Sequence, residues 1–304
     1  MEQAILVPDT DRALGFTIPD RHARGRIVRL GPVLDTILEA HAYPPAIASL
    51  LAEALTLTAL VGSTLKDAGG QLTMQTQTDN GVVRLLVCDF RGGELRGYVD
   101  FDPDKLADQP EHPSLFALFG AGYLTITFDH AGTGERYQGI VPLDGDTLGA
   151  AVESYFVQSE QIPTLVKAGF VRRADGRYCA GGLFLQHLPE GEVGRDRIHT
   201  RLDHPEWEHV AVLGSTMAAD ELTDVTLPLE TLIWRLFNEE SEVRILPELA
   251  LSKGCRCSAD YIAQVIGKFP IEEQREMADE NGVITVDCAF CSTKFPLQVG
   301  IAAP

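Results

Sequence analysis

Four of the six cysteines in this 304-residue chain form two close pairs near the C-terminus. Cys255 and Cys257 stand one residue apart in "GCRCSAD", and Cys288 and Cys291 stand two residues apart in "DCAFC". Thiolates are preferred ligands of structural Zn²⁺, and four of them complete a tetrahedral shell with no open position for water. The spacing therefore predicts one zinc ion per reduced chain, held by these four residues.

The segment around the two pairs shows why a metal would be needed there. "SADYIAQVIGKF" predicts a helix that begins after the cap residue Ser258. Its predicted inward positions are Ile262, Val265, Ile266 and Phe269. "IEEQREMADENG" predicts a second helix, and "VITVDCAFC" predicts a strand that runs into the second pair. Because so few elements bury too little apolar surface to fold alone, we expect 239–304 to be a zinc-binding domain whose fold depends on the metal.

Such a domain would also respond to oxidants, because thiolates are the oxidisable form of cysteine. Oxidation within each pair would remove the ligands and expel the metal. A disulfide inside either pair closes only a tiny loop, so it cannot replace the tie between segments about thirty residues apart. We expect the domain to unfold on oxidation and to expose whatever surface it had covered.

Two other interpretations of the cysteines remain open. The first is a thiol oxidoreductase that uses the C-x-x-C pair, although the βαβ context of such enzymes is missing around the motif. The second is a zinc-ribbon module for interaction with proteins or nucleic acid. The formal net charge of −19 argues against nucleic acid as a partner, because most of the surface would repel phosphates.

Composition and termini indicate the class of protein. Hydrophobic residues make up 45% of the chain and charged residues 23%, as in ordinary globular proteins. The N-terminus lacks the basic region and apolar run of a signal peptide. No apolar stretch is expected to approach the roughly 18 residues that span a bilayer. We therefore expect a soluble cytoplasmic protein without a membrane partner, in a compartment that keeps thiols reduced.

Other residues that could carry chemistry have simpler interpretations. Cys88 and Cys179 lie in alternating strands, where a cysteine is typically a small buried hydrophobe. Ser159 has no G-x-S-x-G elbow, and no glycine-rich phosphate-binding motif is present, so we expect no enzyme activity. Three histidines scattered among acidic residues could be ligands but fit solvated positions better: His199, His204 and His209.

The rest of the chain predicts an α+β fold with a mainly antiparallel core. "PPAIASLLAEALTLTALVGST" predicts a buried helix, and hairpin turns are predicted at Asn80-Gly81, within "HAGTGE", and at Asp175-Gly176. The composition shifts after "LPEGEVG", and two helical segments are predicted within 189–238. The second carries an amphipathic stripe: Leu229, Leu232, Ile233, Leu236 and Phe237. We expect this stripe to pack on the core in the reduced state and to be uncovered when the zinc-binding domain unfolds.

Several motifs resemble one known family. "FNEESEVRILPELALSKGCRCSADYI" and "ADENGVITVDCAFCSTKFPL" resemble the C-terminal redox switch of the 33 kDa chaperonin family, the redox-regulated heat-shock holdases of bacterial cytoplasm. "YFVQSEQIPTLV" and "CAGGLFLQHLPEG" are similar to core motifs of that family, so the resemblance covers nearly the whole chain.

The resemblance implies that residues 1–180 form the α+β core and 181–238 a helical linker. It also implies a function and roles for the cysteines. The zinc ligands and disulfide partners would be Cys255, Cys257, Cys288 and Cys291. The protein would be an ATP-independent holdase that is inactive when reduced and zinc-bound. Oxidation would unfold the switch and the linker, let the protein bind unfolding clients, and favour a homodimer.

Overall fold

The computed structural model describes residues 9–65, 69–78, 80–188 and 204–300. The helices are α1 (Pro32–Glu39), α2 (Pro45–Gly62), α3 (Pro103–Ala107), α4 (Leu115–Phe119), α5 (Leu148–Tyr155), α6 (Pro205–Ser215), α7 (Ala219–Thr223), α8 (Leu229–Phe237), α9 (Ala259–Ile266) and α10 (Ile271–Met277). The strands are β1 (Arg12–Ile18), β2 (Ala23–Leu30), β3 (Gln71–Thr78), β4 (Val83–Arg91), β5 (Glu94–Phe101), β6 (Gly122–Asp129), β7 (Arg136–Pro142), β8 (Thr164–Arg172), β9 (Tyr178–His187), β10 (Arg244–Ile245), β11 (Leu249–Ala250), β12 (Ser252–Lys253), β13 (Val283–Asp287) and β14 (Lys294–Gln298).

These strands form two large sheets and one small one. The first sheet has the order β10-β1-β2-β9-β8, with β11 also paired to β1. The second has the order β12-β5-β4-β3-β6-β7, and β13 pairs with β14 separately. Every pairing is antiparallel except that of β12 with β5. The predicted α+β class with a mainly antiparallel core is confirmed.

The three predicted hairpins are present. Strands β3 and β4 pair across the Asn80-Gly81 turn, and β6 and β7 pair across the "HAGTGE" loop. Strands β8 and β9 pair around Asp175-Gly176, where Gly176 has a φ of +83°. Such a left-handed backbone conformation is readily adopted by glycine, which is why this residue marks the turn.

Helix α2 lies between the two large sheets and forms the centre of the core. It contacts strands of both sheets, and residues along its whole circumference are buried. By length and composition it could cross a membrane, and it is the one such helix in the part of the chain described. The expectation that no such stretch exists is therefore wrong. Because 78% of this helix is buried between the sheets, it has the environment of a core helix.

The outer face of the first sheet is covered by α6, α7 and α8. The predicted stripe on α8 lies on this face, with four of its residues fully buried: Leu229, Leu232, Ile233 and Phe237. Leu236 is only partly buried and packs at the edge of the same cluster. Since each buried side chain of this kind contributes about 1.5–3 kcal/mol, the stripe is a main attachment of the helix to the core.

One strand crosses a boundary expected from the sequence. Strand β9 begins before residue 180, continues to His187, and lies between β2 and β8 in the first sheet. The core sheet thus takes in the first residues of the expected linker 181–238. A break at 180 would fall inside a paired strand, so the structured core extends at least to the end of β9.

Residues 254–300 form a small separate unit of α9, α10 and the β13–β14 hairpin. Ile266 and Ile284 are the buried apolar side chains within this fully described range. Val265 and Phe269 were predicted to point inward, but 36% and 39% of their surfaces are exposed. The unit is too small to enclose them, which agrees with a fold organised around something other than an apolar core.

The chain between α8 and this unit is attached to both large sheets. Strands β10 and β11 pair with β1 at the edge of the first sheet. Strand β12 pairs with β5 at the edge of the second sheet. The sequence predicted none of these two-residue strands, because such short pairings carry no periodic signal.

Candidate metal centre

The four predicted ligands meet at one point. Their sulfur atoms all lie within 4.8 Å of one another. Cys255 Sγ lies 3.2 Å from Cys257 Sγ, 3.6 Å from Cys288 Sγ and 3.5 Å from Cys291 Sγ. A tetrahedral zinc site with Zn–S bonds of about 2.3 Å has sulfur–sulfur edges of about 3.8 Å. The thiols are unbonded to one another, and their arrangement fits a closed four-cysteine metal site.

Local structure places each pair. Cys255 and Cys257 lie on the extended chain between β12 and α9, whose cap residue Ser258 accepts a hydrogen bond from the amide of Tyr261. Cys288 follows β13, and the turn to Cys291 closes through hydrogen bonds to the Cys288 carbonyl. The hairpin and the helix start therefore hold the two pairs face to face, as the C-x-C and C-x-x-C spacing predicted.

The thiols do not all share one ionisation tendency. Burial, followed by hydrogen bonds with the other three thiols, raises the pKa of Cys257, and burial also raises the pKa of Cys288. Burial acts to raise the pKa of Cys291, but hydrogen bonds to Thr293 and the neighbouring thiols outweigh it and lower that pKa to about 6. A cluster of this kind favours one thiolate, and four thiolates become stable together only around a cation.

An aromatic residue inside the C-x-x-C turn anchors the metal centre to the second sheet. The ring of Phe290 makes an edge contact with Tyr98, at 5.0 Å between centroids. The guanidinium of Arg96 lies over the same ring, 3.9 Å from its centroid. Arg96 is held in place by an ion pair with the buried Asp89. The turn that carries two candidate ligands is thus attached directly to β5.

Further contacts join the centre to the core. Nε2 of His41, in the loop after α1, lies 3.3 Å from the carbonyl oxygen of Phe290, and its Nδ1 lies 3.1 Å from Ser292 Oγ. Arg256, between the first two cysteines, donates to the side chain of Gln71. These contacts are made with the core domain, by β3, β5 and the loop after α1. The unit's link to the linker helices runs through the strands β10–β12.

The other candidate residues lie apart from the centre. Cys88 and Cys179 are buried in β4 and β9, and burial raises the pKa of both, that of Cys179 to about 11. Both are therefore protonated near neutral pH, as expected for small buried hydrophobes. His204 caps α6, and His209 lies 2.7 Å from Glu240. The third histidine, His199, falls outside the described residues.

Comparison with known proteins identifies the family. A profile described as "Hsp33 protein" matches residues 11–298, a range that contains all four cysteines of the centre. The chain belongs to the Hsp33 family. Membership of the Hsp33 family supports a chaperone function.

Individual relatives agree with this assignment to the Hsp33 family. A protein of Caulobacter vibrioides named "33 kDa chaperonin" is 41% identical, over 96% of this chain and 98% of its own. One of Cronobacter sakazakii with the same name is 37% identical, over 90% of this chain and 87% of its own. The crystal structure of a 33 kDa chaperonin from Thermotoga maritima is similar in fold, with a TM-score of 0.76, 22% identity and 96% of each chain covered.

The sequence pointed to the four cysteines that cluster here, but not to the residues that support them. Phe290 gave a usable signal, because an aromatic residue in a metal-binding turn has no apolar core of its own to enter. Arg96 and His41 gave none, since each acts through a partner more than 190 positions away in the chain.

Replacing Phe290 with alanine should loosen the C-terminal unit while leaving the four cysteines in place. The variant loses an aromatic pair and a cation–π contact, together worth on the order of 2 kcal/mol. We expect faster hydrogen exchange in 254–298 and faster oxidation by peroxide, with zinc content unchanged. Phe269→Ala, which alters an exposed ring on the same unit, is the matched control. Equal exchange rates in the two variants would contradict the anchor.

Proposed function

We propose that the protein is a redox-controlled, ATP-independent holdase chaperone, whose reduced zinc-bound form is inactive. The observation that carries this proposal is the position of the four-thiol cluster. It follows a chain segment, β10–β12, that pairs with both core sheets. That segment follows the helices that cover an apolar face of the first sheet. The bound metal would supply the cohesion that the small unit lacks. The chain's own residues would hold the linker closed and, once it opens, bind clients.

Oxidation would remove the ligands in a balanced step. Four thiolates lose four electrons and form two S–S bonds, and two molecules of hydrogen peroxide accept those electrons and become water with protons from solvent. With its ligands consumed, the site can no longer hold the cation. About 10–16 kcal/mol of apparent binding free energy is then lost to the folded unit, comparable with the stability of a whole domain.

The pairing decides whether the unit opens. Residues close in the chain form disulfides fastest, so we expect Cys255–Cys257 and Cys288–Cys291, which leave the two halves free to separate. Peptide mapping after peroxide treatment measures the pairing. Disulfides mainly between the two pairs, such as Cys257–Cys288, would keep the two halves of the unit linked and contradict the opening step.

Loss of the unit would weaken the linker by a defined route. The unit holds the β12 segment against β5, and that segment continues from β10 and β11, which lie directly after α8. Several ion pairs also fasten the linker to the first sheet. Arg12 binds Glu230 at 2.7 Å, and Arg21 binds Glu240 at 2.8 Å. These pairs are partly buried, and with the downstream strands free they and the α8 stripe would have to hold the linker by themselves. We expect this remaining attachment to be too weak to keep the linker closed.

The uncovered surface would suit unfolding proteins. The first sheet would show the apolar residues that α8 now covers, among them Phe16, Ile18 and Ile27. Such a surface binds exposed apolar segments without needing a particular sequence. The proposed client-binding residues of the linker itself are Leu229, Leu232, Ile233, Leu236 and Phe237. The net charge of −19 would keep the opened form soluble.

The proposal also covers compartment and partners. A cytoplasmic location would keep the thiols reduced until stress occurs. The opened apolar surface would favour a homodimer of oxidised chains, with neither nucleic acid nor membrane as a partner. The proposal assigns no catalytic step to the protein. The alternative is a thiol oxidoreductase, which would turn over disulfide substrates. Zinc retention by the reduced protein without such turnover would exclude that alternative.

Hydrogen exchange before and after oxidation tests this proposal. Peroxide should raise exchange in 254–298 and in the linker helices from 205 to 237, because both lose their support. The strands of the two core sheets should stay protected, since α2 still packs between them. Client binding that appears while the linker's exchange is unchanged would show that clients bind elsewhere.

A further inference from the structure

A fully buried arginine lies beneath the linker. Arg29 on β2 is the largest of the fully buried side chains in the described part of the chain. Its Nε donates to the carbonyl of Leu222 at 2.8 Å, and its Nη1 donates to the carbonyl of Leu227 at 2.7 Å. Its Nη2 donates to the carbonyl of Glu221 at 3.3 Å, and Asp9 lies 3.5 Å away as counter-charge. Most of this guanidinium's partners are therefore backbone carbonyls of the linker.

Two glycines next to Arg29 let the main chain of the linker approach the sheet closely. Gly181 is the register partner of Arg29 on β9, and Gly169 is the partner of Gly181 on β8. A Cβ at Gly181 would lie 2.2 Å from the carbonyl oxygen of Leu222, and one at Gly169 would lie 2.6 Å from that of Ala219. The main chain of α7 thus rests directly on the sheet, in a groove that these two glycines keep open.

Opening of the linker would change the state of Arg29. Its guanidinium, a planar fork of N–H donors, would lose three carbonyl acceptors. It would remain charged, because an arginine does not deprotonate in proteins. A client segment that covers the same apolar face would bury the fork again. Burying an unpaired charge costs several kcal/mol, so a well-bound segment must return hydrogen-bond acceptors to it.

Unfolding proteins offer the required acceptors. Their segments carry unpaired backbone carbonyls, which native proteins have already paired within helices and sheets. We propose that Arg29, with the groove at Gly169 and Gly181, is a backbone-recognition site of the client-binding face. A client's free carbonyls take the places that the linker's carbonyls hold in the closed state. This inference rests on the proposed holdase function and adds a polar element to it.

The test measures binding to the fully oxidised protein, in which the linker no longer competes. The probe is a short leucine- and phenylalanine-rich peptide, compared with a version whose backbone amides are replaced by esters, which are weaker acceptors. Arg29→Met keeps the bulk and removes the fork, so it should bind the amide peptide about tenfold more weakly. Arg29→Lys keeps the charge without the fork and should recover only part of that loss.

The ester peptide and a second variant make the outcome specific. The ester peptide should bind wild-type protein more weakly than the amide peptide does, and Arg29→Met should bind the two alike. Gly181→Ala, which narrows the groove but keeps the fork, should also weaken binding of the amide peptide. Unchanged affinity of Arg29→Met for the amide peptide would overturn the proposed role of Arg29 but leave the holdase function standing. Absence of peptide binding by oxidised wild-type protein would overturn the holdase function on which the inference rests.

Discussion

Wild-type protein is expected to hold one zinc ion per chain, and chains in which serine replaces Cys257 or Cys288 are expected to lose it. Each sulfur lies within 4.8 Å of the other three, so removing one breaks a four-ligand shell that nothing else in the cluster completes. Most of the roughly 10–16 kcal/mol of apparent binding free energy should be lost. Metal analysis of purified reduced protein measures the loss directly.

The same variants should also lack a folded C-terminal unit. Its two buried apolar side chains cannot hold two helices and a hairpin together without the metal. Hydrogen exchange in 254–298 should approach that of an unfolded chain, while the core strands stay protected. Cys179→Ala, which alters a buried cysteine outside the cluster, is the control and should keep one zinc per chain. Full-affinity zinc binding by either serine variant would show that the ligands are wrongly assigned.

Replacing Ile233 with glutamate is expected to produce client binding without any oxidant. Ile233 is 1% exposed and packs in the cluster between α8 and the first sheet. A carboxylate buried there without a partner costs several kcal/mol, and the substitution also removes the apolar burial of the isoleucine, about 1.5–3 kcal/mol. The opened state of the linker should therefore become more stable than the closed state. Suppression of client aggregation by the reduced variant, with its zinc still bound, measures the effect.

A neighbouring residue supplies the control for this substitution. Trp234 follows Ile233 on α8 but has 66% of its surface exposed. Trp234→Glu introduces the same charge on the same helix without burying it, so the reduced variant should stay inactive. If both variants bind clients, or neither does, burial of the stripe is not what keeps the reduced protein inactive.

The parts of the fold that the sequence predicted are those with local signals. The hairpin at Asn80-Gly81, the helix α2 and the stripe on α8 each carry a periodic pattern or turn dipeptide within one short segment. The four-cysteine cluster was predictable for the same reason, since each of its two halves is a local motif. Local patterns need no knowledge of which segments meet in space.

The remaining features depend on contacts between distant segments. Val265 and Phe269 follow a helical period, yet they are exposed because the unit has no second layer to cover them. Arg96 and Arg29 are single residues whose partners lie far away in the chain, in the C-x-x-C turn and in the linker respectively. Strand β9 crosses the expected domain boundary because its partners, β2 and β8, are set by the sheet and not by the change in composition.

The most direct test of redox control compares one preparation in two states. Reduced, zinc-loaded protein and peroxide-treated protein are each mixed with a client that unfolds on heating, and light scattering follows its aggregation without ATP. The account predicts that only the oxidised protein suppresses aggregation, and that reduction with zinc restores the inactive form. Equal suppression by both states, or suppression by the reduced state alone, would contradict it.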